Sequence, residues 1–251
     1  MKILIPLFLV GTIGLAACGS GGGNSGVSGN WQFLLTNPAT GAVKQESGFL
    51  LQSGNSLAGN VLLTGSTICP GIGSAQGQVT GTGVSLSVIQ IGQTITLTGT
   101  SSGNGSQMGG NYSILASPCG TTQVGVWSGT QIPTFSGNIQ ATFTSGTSPG
   151  QVIHSIGTIS QGPNTGASAT TLSGKMTSTD SPCFSNAVIT GQISGTAVLL
   201  NIATTEGATI GQFIGKATTD ATSASGTYDF FPHGATPCFN YGTATITVQG
   251  T

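Results

Sequence analysis

Charge is almost missing from this chain: its 251 residues hold four lysines, no arginine and five acids, 4% of the total. An ordinary globular domain carries about 25%. So little charge offers no basic patch to a nucleic acid and no charge-driven reason for an acidic partner. Histidine is nearly absent too, with two in all, and no C-x-x-C pair occurs, so neither a zinc site nor any other cofactor is expected. Two tryptophans and three tyrosines are too few for the aromatic girdles of a membrane-spanning β-barrel. After the N-terminus no stretch keeps the i, i+3, i+4 apolar spacing of a helix, and glycine interrupts every candidate.

What is present begins with an address. Met1-Lys2 is a minimal positive start, and residues 3–17 carry no charge. That run is shorter than the roughly 20 apolar residues needed to cross a bilayer, but it suits a secretory signal. It ends Leu15-Ala16-Ala17-Cys18, which resembles the lipobox of bacterial lipoproteins over residues 1–18. The resemblance implies removal of residues 1–17, a diacylglyceryl group on the Cys18 sulfur, and an acylated new amine. Two or more acyl chains hold a protein stably to the lipid bilayer, where one does so only marginally. Residues 18–29, CGSGGGNSGVSG, then read as the lipidated cysteine and a Gly/Ser tether reaching about 18 Å. Glycine follows Cys18 where inner-membrane lipoproteins of many Gram-negative bacteria carry aspartate, which favours the outer membrane or cell surface.

About 220 residues remain for the folded body, enough for one large all-β domain or two smaller ones. The segment Ser28-Gly29-Asn30-Trp31-Gln32 returns as Ser136-Gly137-Asn138-Ile139-Gln140, 108 positions later. Each copy is followed by two cysteines, and Gly-x-Tyr precedes the later one, as Gly110-Asn111-Tyr112 and Gly226-Thr227-Tyr228. A period that long suits two similar domains, expected at 30–129 and 130–251, and not a solenoid. Four cysteines in an exported chain read as two disulfides with three pairings open. The duplication favours Cys69–Cys119 and Cys183–Cys238, one in each half.

Alternation runs through both halves. Thr94-Ile95-Thr96-Leu97-Thr98, Val84-Ser85-Leu86-Ser87-Val88, Thr243-Ala244-Thr245-Ile246-Thr247-Val248 and Trp31-Gln32-Phe33 each set apolar residues on one face and polar ones on the other. Turn sequences such as SGNS, TGTG and GPNTG separate them at spacings of about 8 to 12 residues. The expected fold class is all-β: antiparallel meander strands, about eight per half, forming two tandem β-barrels or β-sandwiches.

Candidate chemistry is sparse. G-x-S-x-G occurs at Gly99-Thr100-Ser101-Ser102-Gly103 and at Gly146-Thr147-Ser148-Pro149-Gly150. A nucleophile elbow needs a helix after its strand, and neither has one. Asp229 and His233, in Tyr228-Asp229-Phe230-Phe231-Pro232-His233, form the only acid/imidazole pair suggestive of catalysis. The simpler account is a strand ending in a proline turn near a disulfide. His154 reads as structural. Glu46, Glu206 and Asp220 read as solvated turn residues, and Asp180 as a cap for the SPCF turn. With so few titratable groups, stability is expected to vary little between about pH 3 and 8.

These features point to a membrane-anchored, extracytoplasmic, non-catalytic protein with a structural, adhesive or recognition role. The alternative is a calycin-like module with a small apolar ligand in each barrel, lined by Trp31, Tyr112, Trp127 or Tyr228. A hydrolase at Asp229 and His233 stands third.

Overall fold

The computed structural model describes residues 26–64, 69–115, 118–163, 169–205, 207–231, 238 and 240–249. The signal segment, Cys18, most of the tether, Glu206 and His233 lie outside the described residues. The first eight strands are β1 (Gly29–Thr36), β2 (Val43–Ser53), β3 (Ser56–Leu63), β4 (Gly71–Thr80), β5 (Gly83–Gln90), β6 (Gln93–Ser101), β7 (Gln107–Ile114) and β8 (Gln123–Ile132). The second eight are β9 (Gly137–Ser145), β10 (Val152–Gln161), β11 (Thr170–Thr177), β12 (Asn186–Ser194), β13 (Ala197–Ala203), β14 (Thr209–Ala217), β15 (Ser223–Phe230) and β16 (Asn240–Gln249). Each set is an antiparallel meander closed into a barrel, β1 pairing with β8 and β9 with β16. The choice between barrel and sandwich left by the sequence is thereby made. Cys69 is bonded to Cys119 and Cys183 to Cys238, one disulfide in each barrel.

The period-2 pattern dictates what fills the barrels. Eight strands close around a lumen just wide enough for side chains, and the inward residues of each barrel form their own apolar core. In the first, Trp31 stacks on Phe33 with ring centroids 6.1 Å apart. In the second, Phe143, Phe184, Tyr228 and Phe230 meet edge-on or tilted at 5.0–5.6 Å. Val27 covers the open end of the first lumen and Phe135 that of the second; both are buried. They are held alike, Val27 N donating to Gln52 Oε1 and Phe135 N to Gln161 Oε1, each at 2.9 Å.

So narrow a cylinder needs strands that bend sharply, and glycine lets neighbouring backbones close in. Gly99 sits opposite Gly110 across β6 and β7, and Gly215 opposite Gly226 across β14 and β15. A methyl group on Gly110 or Gly226 would overlap the backbone of the facing strand. The duplication therefore extends to the points of tightest coiling.

The barrels touch through the outer face of β1 and β2. Asn30 Nδ2 donates to Gly195 O (2.8 Å) and Gly195 N donates back to Asn30 Oδ1 (2.6 Å). Thr196 N and Oγ1 both donate to Gln32 Oε1, at 3.3 and 3.0 Å, and Ser47 Oγ meets Ser194 Oγ at 2.9 Å. Two outward residues of β1 are thus buried as well, Asn30 at 3% and Gln32 at 7% exposed. The expected solvated face of Trp31-Gln32-Phe33 is in fact an interface. Elsewhere the outer walls mix threonine and serine with exposed branched residues such as Ile72, Val124, Ile156 and Ile214.

Gly226→Ala should destabilise the chain by about 2 kcal/mol or more, the usual scale for forcing atoms into a packed site. Urea unfolding followed by near-ultraviolet circular dichroism reads the loss; an unchanged midpoint would show that the strands have room there.

Candidate functional site

The lumens are the first places to look, and they are full. Trp31 donates its Nε1–H to Val27 O (2.8 Å) and Trp127 donates to Thr98 O (3.1 Å); both indoles are buried. Tyr112 and Tyr228 occupy equivalent register positions, opposite Leu97 and Gly125 in one barrel and opposite Phe213 and Gly242 in the other. Tyr228 donates its hydroxyl to Asn240 Oδ1 (3.1 Å), which also accepts from Ser145 Oγ (2.8 Å). Burial raises both phenol pKa values. These four aromatics therefore serve as filling, three of them with bonded polar tips, rather than as the rim of a cavity. Asp229 lies on the outer face of β15, exposed. His233 lies outside the described residues. Among the described residues no three His, Cys, Asp or Glu side chains gather as metal ligands.

A carboxylate also enters a lumen, against the expectation from sequence. Glu46 is not a solvated turn residue: it sits in β2 opposite Phe33 and is 1% exposed. Its Oε2 accepts from Thr64 N, while Oε1 is buried without a hydrogen-bond partner. Desolvation is the largest influence and raises its pKa from 4.5 to about 7, against the opposing hydrogen bonds from Thr64 and the charge of Lys44. Lys44, two residues earlier on the same face, has its ammonium buried and unpartnered and its pKa lowered, chiefly by burial. The register-equivalent of Glu46 is Ser155, opposite Ala141, whose hydroxyl is also buried and unpartnered. The spacing Lys44, Glu46, Gly48, Leu50 carried this signal, since a period-2 strand ending inward at Leu50 puts all four inside.

Asp220 sits in a turn as expected, whereas the SPCF turn is capped by Ser181, whose Oγ accepts from Cys183 N and Phe184 N, and Asp180 reaches across to β10. Asp180 accepts from Ser178 Oγ (2.7 Å) and His154 N (3.0 Å), which lowers its pKa. Asp220 is held down to about 2 by Thr218 and Thr222. His154 is exposed on β10. Ile153 beside it is buried, whereas Ile156 is 63% exposed.

With the lumens filled, the open clefts lie on outer walls. One of about 500 Å³ runs over β6, β7 and β8, between Pro38, Asn111, Val124 and Val126. Another of about 530 Å³ lies over β9, β10 and β11, between Asn138, Gln140, Ile156 and Lys175. The class that fold and clefts define is a tandem pair of filled eight-stranded up-and-down barrels. No protein-family model matches the chain, and no curated protein or solved structure matches it.

Glu46 sets a pH dependence where little was expected. Its folded-state pKa is raised, so folding favours the protonated form. Its contribution is complete below about pH 4.5 and is lost as pH rises through about 7, on the order of 3 kcal/mol. Asp180 and Asp220 are depressed, so theirs is lost as pH falls below about 4. Melting temperature should therefore peak near about pH 4–5. Glu46→Gln should flatten the neutral limb and leave the acid limb in place; a neutral limb unchanged by the substitution would remove Glu46 as its source.

Proposed function

We propose that this chain is an extracytoplasmic bacterial lipoprotein, tied to a membrane by acylated Cys18, whose paired barrels serve a non-catalytic structural, adhesive or recognition role. The outer membrane or cell surface is its site in this reading. The observation that carries the role is the packed interior: Trp31, Leu50, Leu86, Phe143, Phe213 and Phe230 are completely buried. A lumen so filled leaves no room for a lipophilic ligand of ordinary size, and contact with other molecules falls to the outer walls. Two disulfides are compatible with an oxidising compartment. The lipobox-like Leu15-Ala16-Ala17-Cys18 supports anchoring, and the Gly/Ser stretch after it would hold the barrels off the headgroups.

The full chain should be recovered from bacterial membranes with residues 1–17 removed and Cys18 carrying a thioether diacylglycerol and an amide-linked acyl chain, read by mass spectrometry of the N-terminal peptide. Cys18→Ala should leave the chain uncleaved. Native mass spectrometry of the same material should find no retained apolar molecule. An uncleaved chain with a free Cys18 thiol would overturn the anchoring, and a stoichiometric lipophile would overturn the role.

A further inference from the structure

The join between the barrels uses a pair of amides that the duplication has copied. Ser28-Gly29-Asn30-Trp31-Gln32 and Ser136-Gly137-Asn138-Ile139-Gln140 hold the same place in their barrels, and their serines do the same local work. Ser28 Oγ accepts from Gln52 N and Ser136 Oγ from Gln161 N, each at 2.8 Å. The asparagine and glutamine differ in what they meet. Asn30 and Gln32 hold the Ser194-Gly195-Thr196-Ala197 turn by four hydrogen bonds. Asn138 and Gln140 are exposed, and neither side chain bonds to another described residue.

The first pair shows what such a face selects. Asn30 takes up both main-chain groups of Gly195, and Gln32 Oε1 takes the N–H and hydroxyl of Thr196. Gly195 has φ 56°, the left-handed conformation of a tight hairpin turn. A Cβ there would stand 2.7 Å from Ser47 Cβ and 2.8 Å from Gln32 Oε1, so the face admits glycine and nothing larger. The second pair has matching surroundings: Gln32 stands opposite Ser47, and Gln140 opposite Ile156. Asn138, Gln140 and Ile156 line the groove of about 530 Å³, and Lys175 is the one charged residue along it.

We propose that the outer face of β9 and β10 is a docking site for a hairpin turn of a partner protein, a two-residue turn with glycine first and threonine or serine second. Asn138 and Gln140 hold it as Asn30 and Gln32 hold Gly195 and Thr196. The proposal rests on the reading that contacts fall to the outer walls, and gives that recognition its partner class: a β-protein presenting an uncharged, glycine-led turn. The residue before the glycine separates this partner from the internal one. Ser194 Oγ meets Ser47 Oγ at 2.9 Å, whereas its counterpart in the groove meets Ile156, which is 63% exposed. A valine suits that place better than a serine. Within the chain the short connection at residues 133–136 keeps the Gly195 turn at high effective concentration on the first barrel. A partner in trans lacks that help, and so small a contact belongs to the weak class.

Two disulfide-cyclised hairpin peptides test this, one carrying Ile193-Ser194-Gly195-Thr196-Ala197-Val198 and one with valine in place of Ser194. Each is titrated into the full chain and followed by nuclear magnetic resonance, in micelles where acyl chains are present. Both should shift the signals of Asn138, Gln140 and Ile156 to saturation, the valine peptide at several-fold lower concentration. Gln140→Arg, which crowds the groove, should abolish the shifts. Ile156→Ser should reverse the preference between the peptides, with circular dichroism showing both variants folded. No saturable shift with either peptide overturns the proposal, as do shifts that survive Gln140→Arg or a preference that Ile156→Ser leaves unchanged. A lipophile retained in a lumen would overturn the reading of filled barrels and leave these titrations as they are, so the two failures are told apart.

Discussion

Closure at eight strands is the constraint on which the rest of the molecule depends. A cylinder of that circumference has room inside for its own side chains and little else. The inward positions are therefore mostly apolar, and the strands must bend to close the wall. The facing pairs Gly99–Gly110 and Gly215–Gly226 answer the second demand, and the aromatic and branched residues of the two cores answer the first. A polar group sent inward has to be bonded or to resist carrying charge. Tyr228, Trp31 and Trp127 take the first course, and Glu46, bonded at one oxygen only, has its pKa raised by burial.

Because the interior is committed to packing, recognition moves to the walls, and the walls have almost no charge to use. The contact between the barrels shows what replaces it. Asn30 and Gly195 exchange two hydrogen bonds, and Gln32 takes two more from Thr196. Amides against a turn backbone give direction and register without ions, so the join is indifferent to salt in a way that an ion-pair interface is not. It also alters what alternation means. At the start of β1 both faces are dry, one toward the lumen and one, through Asn30 and Gln32, toward the neighbouring barrel.

Much of the fold was legible because period 2 is a strong signal when threonine and serine alternate with isoleucine, leucine and valine. Ile95 and Leu97 in β6, and Ile246 and Val248 in β16, are buried as their spacing required. Three features were hidden, for physical reasons. Closure depends on hydrogen bonds between β1 and β8, about a hundred residues apart, and no local pattern distinguishes a closed meander from two stacked sheets. The burial of Glu46 was masked by its neighbours, since Lys44, Gln45 and Glu46 look like a solvated loop unless the strand ending at Leu50 is extended backwards. The role of Asn30 was beyond any local reading, because it depends on a turn 165 residues away. The aromatics singled out as ligand contacts were correctly seen as unusual; their environment makes them core.

The seam where β1 lies beside β8, and β9 beside β16, has an evolutionary consequence. A unit whose chain enters and leaves through adjacent doors can be copied end to end without rewiring its interior. Only a few connecting residues are needed between one module and the next. The same architecture would accept a third or fourth module as readily as a second.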